Sequence, residues 1–198
     1  MIVTIDGPAG TGKSTAARSV AAAVGFEYLD TGAMYRVIAL LALEAELDPH
    51  AESDVSGLAR QTEITFRHGR TFVGDRDVSQ EIRTLPVTEA ASLVAQHADV
   101  RHALVAEQRR IAGQQDIVCE GRDQGTEVFP GAECKFYLTA DARIRTQRRF
   151  RELSADQQTT DFDTLLQQIE ERDRRDAERS IAPLRPADDA IIIDTGPL

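Results

Sequence analysis

The chain has 198 residues, enough for one sizeable core with a small addition. Asp and Glu outnumber Lys and Arg by 33 to 23, a net charge of −10, which argues against a nucleic-acid polymer as partner because such proteins present a basic face. No run approaches the ~18 apolar residues of a membrane span, and the chain opens on strand residues without a basic leader, so no membrane and a cytoplasmic location are expected.

Ile2-Val3-Thr4-Ile5 is a β-branched run that predicts a buried strand over 2–6, and the Ala-rich stretch after Lys13 predicts a helix over 13–24. Between them, Gly7-Pro8-Ala9-Gly10-Thr11-Gly12-Lys13-Ser14 fits the phosphate-loop pattern of Gly, four free positions and Gly-Lys-Ser/Thr. A strand, a glycine turn and a helix N-terminus aim backbone N–H groups and a positive dipole end at one point, which suits a triphosphate. Gly7 through Thr15 are therefore the candidate ATP site. Lys13 would reach the β/γ-phosphates and Ser14 would ligate Mg²⁺. Average residue usage makes a chance match in such a chain on the order of one per cent. This chain has only two lysines, Lys13 and Lys135, and one stands where the pattern needs it.

Glu27-Tyr28-Leu29 predicts a short strand leading into a helix from about 32 to 44, with Asp30 or Thr31 as its cap. Asp30 to Arg36 bring helix amides, a hydroxyl, a phenol and an arginine to a strand end, a place that suits a second, phosphorylated ligand. Over 48–84 the pattern changes. Glu63 to Arg67 and Thr71 to Val73 read as strands about a turn, with Arg76 to Val78 as a third. Helices follow over about 85–95 and 99–112. Strands 116–120 and 134–138, helices 141–152 and 161–180, and a strand over 190–194 complete the alternation. Phe162, Leu165, Leu166 and Ile169 give the helix over 161–180 one apolar face, and Leu153 to Thr160 reads as a mobile loop. Cys119 and Cys134 fall in expected buried strands without metal-site spacing, so both read as reduced thiols.

This order predicts an α/β fold: a doubly wound parallel sheet with a P-loop, a small antiparallel insertion and a helical lid. The expected core is 1–47 and 85–198, with a lid near 148–162 and the insertion at 48–84. Among phosphate-loop proteins, a guanine-reading Asn/Thr-Lys-x-Asp motif is absent, since Lys135 is followed by Phe-Tyr. Ile117 to Asp123 ends in Glu-Gly-Arg-Asp, which suits acceptor binding better than the Asp-Glu strand end of a motor ATPase. A small kinase with a small acceptor fits best. A kinase for another acceptor, or a nucleotide-binding module without turnover, stays open at this level.

Longer landmarks narrow the choice. They are Ile5-Asp6-Gly7-Pro8, Leu29-Asp30-Thr31-Gly32-Ala33-Met34-Tyr35-Arg36, Asp77-Val78-Ser79-Gln80-Glu81-Ile82-Arg83-Thr84, Glu120-Gly121-Arg122-Asp123-Gln124-Gly125-Thr126, and Glu171 to Leu184. On these motifs the chain resembles the bacterial cytidylate kinases, of the nucleoside monophosphate kinase family, over nearly its whole length. Glu120 and Gln124 stand where many relatives have Asp and Met, and relatives usually continue into a further helix beyond Leu198.

The resemblance implies phosphoryl transfer from ATP to CMP or dCMP with Mg²⁺, by a monomer. It implies that Arg36 and Arg122 clamp the CMP phosphate. Thr31, Tyr35, Arg172 and Asp176 bound the sugar side. Ser92, Arg101, Asp123 and Arg179 read the base, and Arg83 is a further candidate near the insert. Arg148 and Arg149 are the expected lid arginines, catalytic together with Lys13 and Arg122.

Overall fold

The computed structural model describes all residues except 68, 114 and 153–160, and of Glu152 only its place in a helix. The strands and α-helices over described residues are β1 (Ile2–Asp6), α1 (Lys13–Val24), β2 (Glu27–Asp30), α2 (Thr31–Glu44), α3 (Glu52–Gln61), β3 (Ile64–Arg67), β4 (Arg70–Val73), β5 (Arg76–Asp77), α4 (Leu85–Val94), α5 (Ala98–Ala112), β6 (Ile117–Glu120), β7 (Cys134–Thr139), α6 (Ala142–Glu152), α7 (Phe162–Glu178) and β8 (Ile191–Asp194), with short helical turns at Glu81–Arg83 and Gln124–Val128. A five-stranded parallel sheet runs in the order β2-β6-β1-β7-β8, and β3-β4-β5 form a small antiparallel sheet. The phosphate-loop strand β1 is therefore central, paired with β6 on one side and β7 on the other. This is the expected α/β fold with its antiparallel addition. The expected loop over 153–160, and with it most of the proposed lid, lies outside the described residues.

The chain divides into two compact units, Met1–Glu27 with Ile117–Leu198, and Tyr28–Asp116. In the first, β1 and β6 are nearly continuous apolar runs because both faces of the sheet are covered: Val3, Ile5, Ile117, Val118 and Cys119 are all buried. Helix α1 turns Ala17 and Ala21 inward, and alanines allow close approach to β1 and β6. Helix α7 packs on α6 through Leu165, Ile169 and Phe150, and Phe162 meets Phe150 edge-to-face at 6.1 Å. Cys134, expected to be buried, is half-buried, because β7 exposes alternate positions at its start.

The second unit centres on α2, whose Met34, Val37 and Ile38 are fully buried against α3, α4 and α5. Helix α3 replaces part of what reads in the sequence as a purely stranded insertion. Its segment carries Ser53, Ser56 and Gly57 and only a thin apolar stripe, and burial of Val55 and Ala59 decides its structure.

Candidate active site

The phosphate loop begins where β1 ends. Gly7 has φ 140°, and a Cβ built there would lie 2.1 Å from the Leu138 carbonyl oxygen of β7, so only glycine fits. The first turn of α1 receives no side-chain cap, which leaves its amides turned toward the loop. Within the loop, Thr11 Oγ1 donates to the Pro8 carbonyl at 3.1 Å and Lys13 Nζ donates to the same oxygen at 2.7 Å. Burial pulls Lys13 down to about 7, helped by the nearby Arg122 and Arg172 charges and opposed by Glu120 and Asp6.

The loop is braced from outside by residues that the sequence reading leaves unassigned. Arg145 of α6 donates from Nε to the Ala140 carbonyl at 2.9 Å and from Nη1 to the Ala9 carbonyl at 3.1 Å. Its Nη1 also pairs with Asp173 of α7 at 2.6 Å, with only 6% of the side chain exposed. Thr195, just past β8, donates from Oγ1 to the Thr11 carbonyl at 3.0 Å. In the sequence, Arg145 is one member of an arginine run, and nothing in its local pattern separates it from its neighbours. Arg148, an expected lid arginine, donates to Thr195 Oγ1 at 3.2 Å and to the Thr195 carbonyl. Arg149 lies half-buried on the same helix.

A second cluster forms where β6 ends. Arg122 Nε donates to Asp176 of α7 at 3.0 Å, and both side chains are largely buried. Burial works against the Arg122 charge, but the Asp176 carboxylate more than offsets it and holds Arg122 above its ordinary range. Burial likewise opposes ionised Asp176, yet Arg122, Arg172 and Arg179 hold it below the usual carboxylate range. Arg179 Nη2 stands 3.8 Å from Asp123, a contact between two nearly fully buried side chains. Arg179 Nε also donates to the Ala182 carbonyl, and Ala182 itself takes the left-handed φ of 51°. The structure thus brings Lys13, Arg122, Asp123, Arg172, Asp176 and Arg179 into one electrostatic neighbourhood of the first unit.

The remaining candidates share the second unit. Asp30 caps α2: its Oδ1 accepts from the Ala33 amide at 2.9 Å, and its Oδ2 takes the Arg83 guanidinium at 2.6 Å. That cap fixes the turn carrying Thr31, Tyr35 and Arg36. Arg101 of α5 is buried, donates to the Ala95 carbonyl at 3.4 Å and lies 5.7 Å over the Tyr35 ring. Ser92 of α4 is also buried, and its Oγ finds no hydrogen-bond partner among the described residues.

Comparison with known proteins bears on what a phosphate loop on the central strand serves here. The cytidylate kinase family model covers residues 3–198. The chain belongs to the cytidylate kinase family. A cytidylate kinase of Leuconostoc mesenteroides is 46% identical over 98% of this chain and 88% of its own length. A cytidylate kinase of Neisseria meningitidis serogroup C is 43% identical over all of this chain and 90% of its own. Shikimate kinase from Bacteroides thetaiotaomicron superposes with a TM-score of 0.50 at 11% identity, over 98% of this chain and 86% of that one, a likeness of fold. Membership of the cytidylate kinase family makes this chain a nucleoside monophosphate kinase with ATP as co-substrate.

Proposed function

We propose that the chain transfers the γ-phosphoryl group of ATP to CMP and dCMP, releasing ADP with CDP or dCDP. The family match over residues 3–198 carries this reading. The reading includes a monomer in the cytoplasm, with nucleotides as its partners and no nucleic-acid polymer. Phosphoryl transfer needs alignment and charge neutralisation more than covalent help from the protein. Gly7 to Thr15 cradle the ATP phosphates. Lys13, held near half-charge by burial, gains its full charge as the phosphates approach.

Among the described residues no group of three or more His, Cys, Asp and Glu converges to hold an ion. Mg²⁺ arriving with ATP needs few protein oxygens, and the Ser14 hydroxyl in the first turn of α1 fits that donor set. When bound, the ion neutralises charge on the phosphates. Arg36 and Arg122 hold the acceptor phosphate, and Asp176, ionised among three arginines, keeps Arg122 oriented. Thr31, Tyr35, Arg172 and Asp176 bound the sugar, with Arg83 held nearby by Asp30. Ser92 and Arg101 read the base with Asp123 and Arg179, and the partnerless hydroxyl of Ser92 supports that role. Arg148 and Arg149 attend the transferring phosphate.

Asp123 accepts from the exocyclic amino group of cytosine, whereas uracil would turn a carbonyl oxygen toward it. ADP release measured with CMP, dCMP, UMP, AMP and shikimate tests the reading. CMP and dCMP should lead, with UMP at least about tenfold poorer. Preference for any other acceptor would overturn the assignment.

A further inference from the structure

The second half of the acceptor machinery hangs on a residue that the mechanism above does not use. Asp6 ends β1, directly ahead of Gly7, and is only 4% exposed. One of its carboxylate oxygens accepts the Gln124 amide at 2.9 Å, and the other accepts the Gly125 amide at 2.8 Å. These amides open a single wide helical turn in which Val128 N donates to the Asp123 carbonyl and Phe129 N to the Gln124 carbonyl, both five residues back. Strand β1 grips the same segment twice more. The Gly121 amide donates to the Ile5 carbonyl at 3.1 Å, and a Cβ at Gly125 would stand 2.9 Å from Thr4 Oγ1. Arg122 and Asp123 lie between these anchored points.

We propose that Asp6 is a positioning residue for acceptor recognition: its two hydrogen bonds set the conformation of the Arg122–Asp123 segment from the strand that also carries the phosphate loop. A carboxylate suits this task because it offers one acceptor to each amide. Asn would present an NH₂ group to one of them. Burial raises Asp6 to about 6, against the two amides, so the brace weakens in mild acid. The other groups facing Asp6 are Lys13 of α1, Cys119 of β6, Asp123 itself and Tyr137 of β7.

The inference rests on Asp123 as the reader of cytosine, and the experiment separates the two. The ratio of kcat/KM for CMP over UMP is measured for the wild-type chain, Asp6→Asn and Asp123→Ala, between about pH 5 and pH 8. The acceptor phosphate titrates alike in both substrates and cancels in the ratio. In the wild type the ratio should fall about tenfold as pH drops through about 6. In Asp6→Asn it should be low and flat with pH, with a raised KM for CMP and with Mg·ATP affinity, measured near pH 6 where Lys13 keeps its proton, within about twofold of wild type. A wild-type ratio that is flat with pH would overturn the proposal, and this measurement stands even if Asp6→Asn fails to fold. So would an Asp6→Asn variant that loses all acceptors and ATP equally, which marks a merely structural residue. If Asp123→Ala leaves the ratio unchanged, the reading of Asp123 falls and this inference falls with it. If only Asp123→Ala changes it, the inference alone fails.

Discussion

Burial makes the Lys13 ammonium costly, and the phosphate anion that it is proposed to hold would relieve the cost. With its folded value near 7, only about a tenth of the free enzyme carries a protonated Lys13 at pH 8. Nucleotide binding should therefore take up a proton above neutrality, and the Kd for ATP should rise by up to about tenfold per pH unit. Calorimetry in buffers of differing ionisation heat checks this. Without ligand, the unfolded chain keeps the Lys13 proton up to about 10.5 and the folded chain only to about 7. This residue's contribution to stability consequently rises with pH across that window. Lys13→Met should lower kcat by ~10²–10³-fold. It should also melt above wild type near pH 6, with the gain shrinking toward pH 10. Thermal melts at both ends of the range decide it. Gly7→Ala is a different case. The Leu138 carbonyl is backbone and cannot step aside, so a loss of roughly 2–4 kcal/mol is expected in denaturant unfolding.

At the scale of elements, the Asp30 cap joins local structure to the proposed acceptor site. Asp30→Ala removes an N-cap and leaves a half-exposed Arg83 without this carboxylate, so a loss of about 1–2 kcal/mol is expected. Asp30→Asn keeps the cap oxygen and should recover most of it, which chemical denaturation of the pair can test. The helix was legible in the sequence from Asp-Thr-Gly-Ala at a strand end, which offers Asp30 or Thr31 as its cap; the structure selects Asp30. Helix α3 was not, because its helical state depends on burying Val55 and Ala59 against elements far along the chain. The wide turn at Gln124–Val128 also escaped reading. Its form is set by the Asp6 carboxylate 118 residues away, and no local pattern encodes that. Arg145 was visible as a residue but not as a brace, since its task depends on Ala9 and Asp173 arriving from elsewhere.

At the scale of the molecule, the motif-bearing ends of strands were readable because their chemistry is local, and the pairing of charges across helices was not. Asp176 and Arg122 belong to distant motifs, and only the fold makes them partners. Strand β8, at the edge of the sheet, exposes Ile191, Ile192 and Ile193 by 59%, 61% and 37%. Such an edge invites pairing between copies. Ile192→Lys should increase the soluble fraction at high concentration while leaving kcat/KM within about twofold, as light scattering and the coupled assay would show.

The contacts between α6 and α7 have a topological consequence. A buried guanidinium–carboxylate pair stitches the two helices at Arg145 and Asp173, and two aromatic rings clasp them at Phe150 and Phe162. These contacts should hold the two helices together without the peptide link between them. Two separately expressed fragments, divided between α6 and α7, should reassemble on mixing, and a circular permutant opened there should keep its nucleotide affinity.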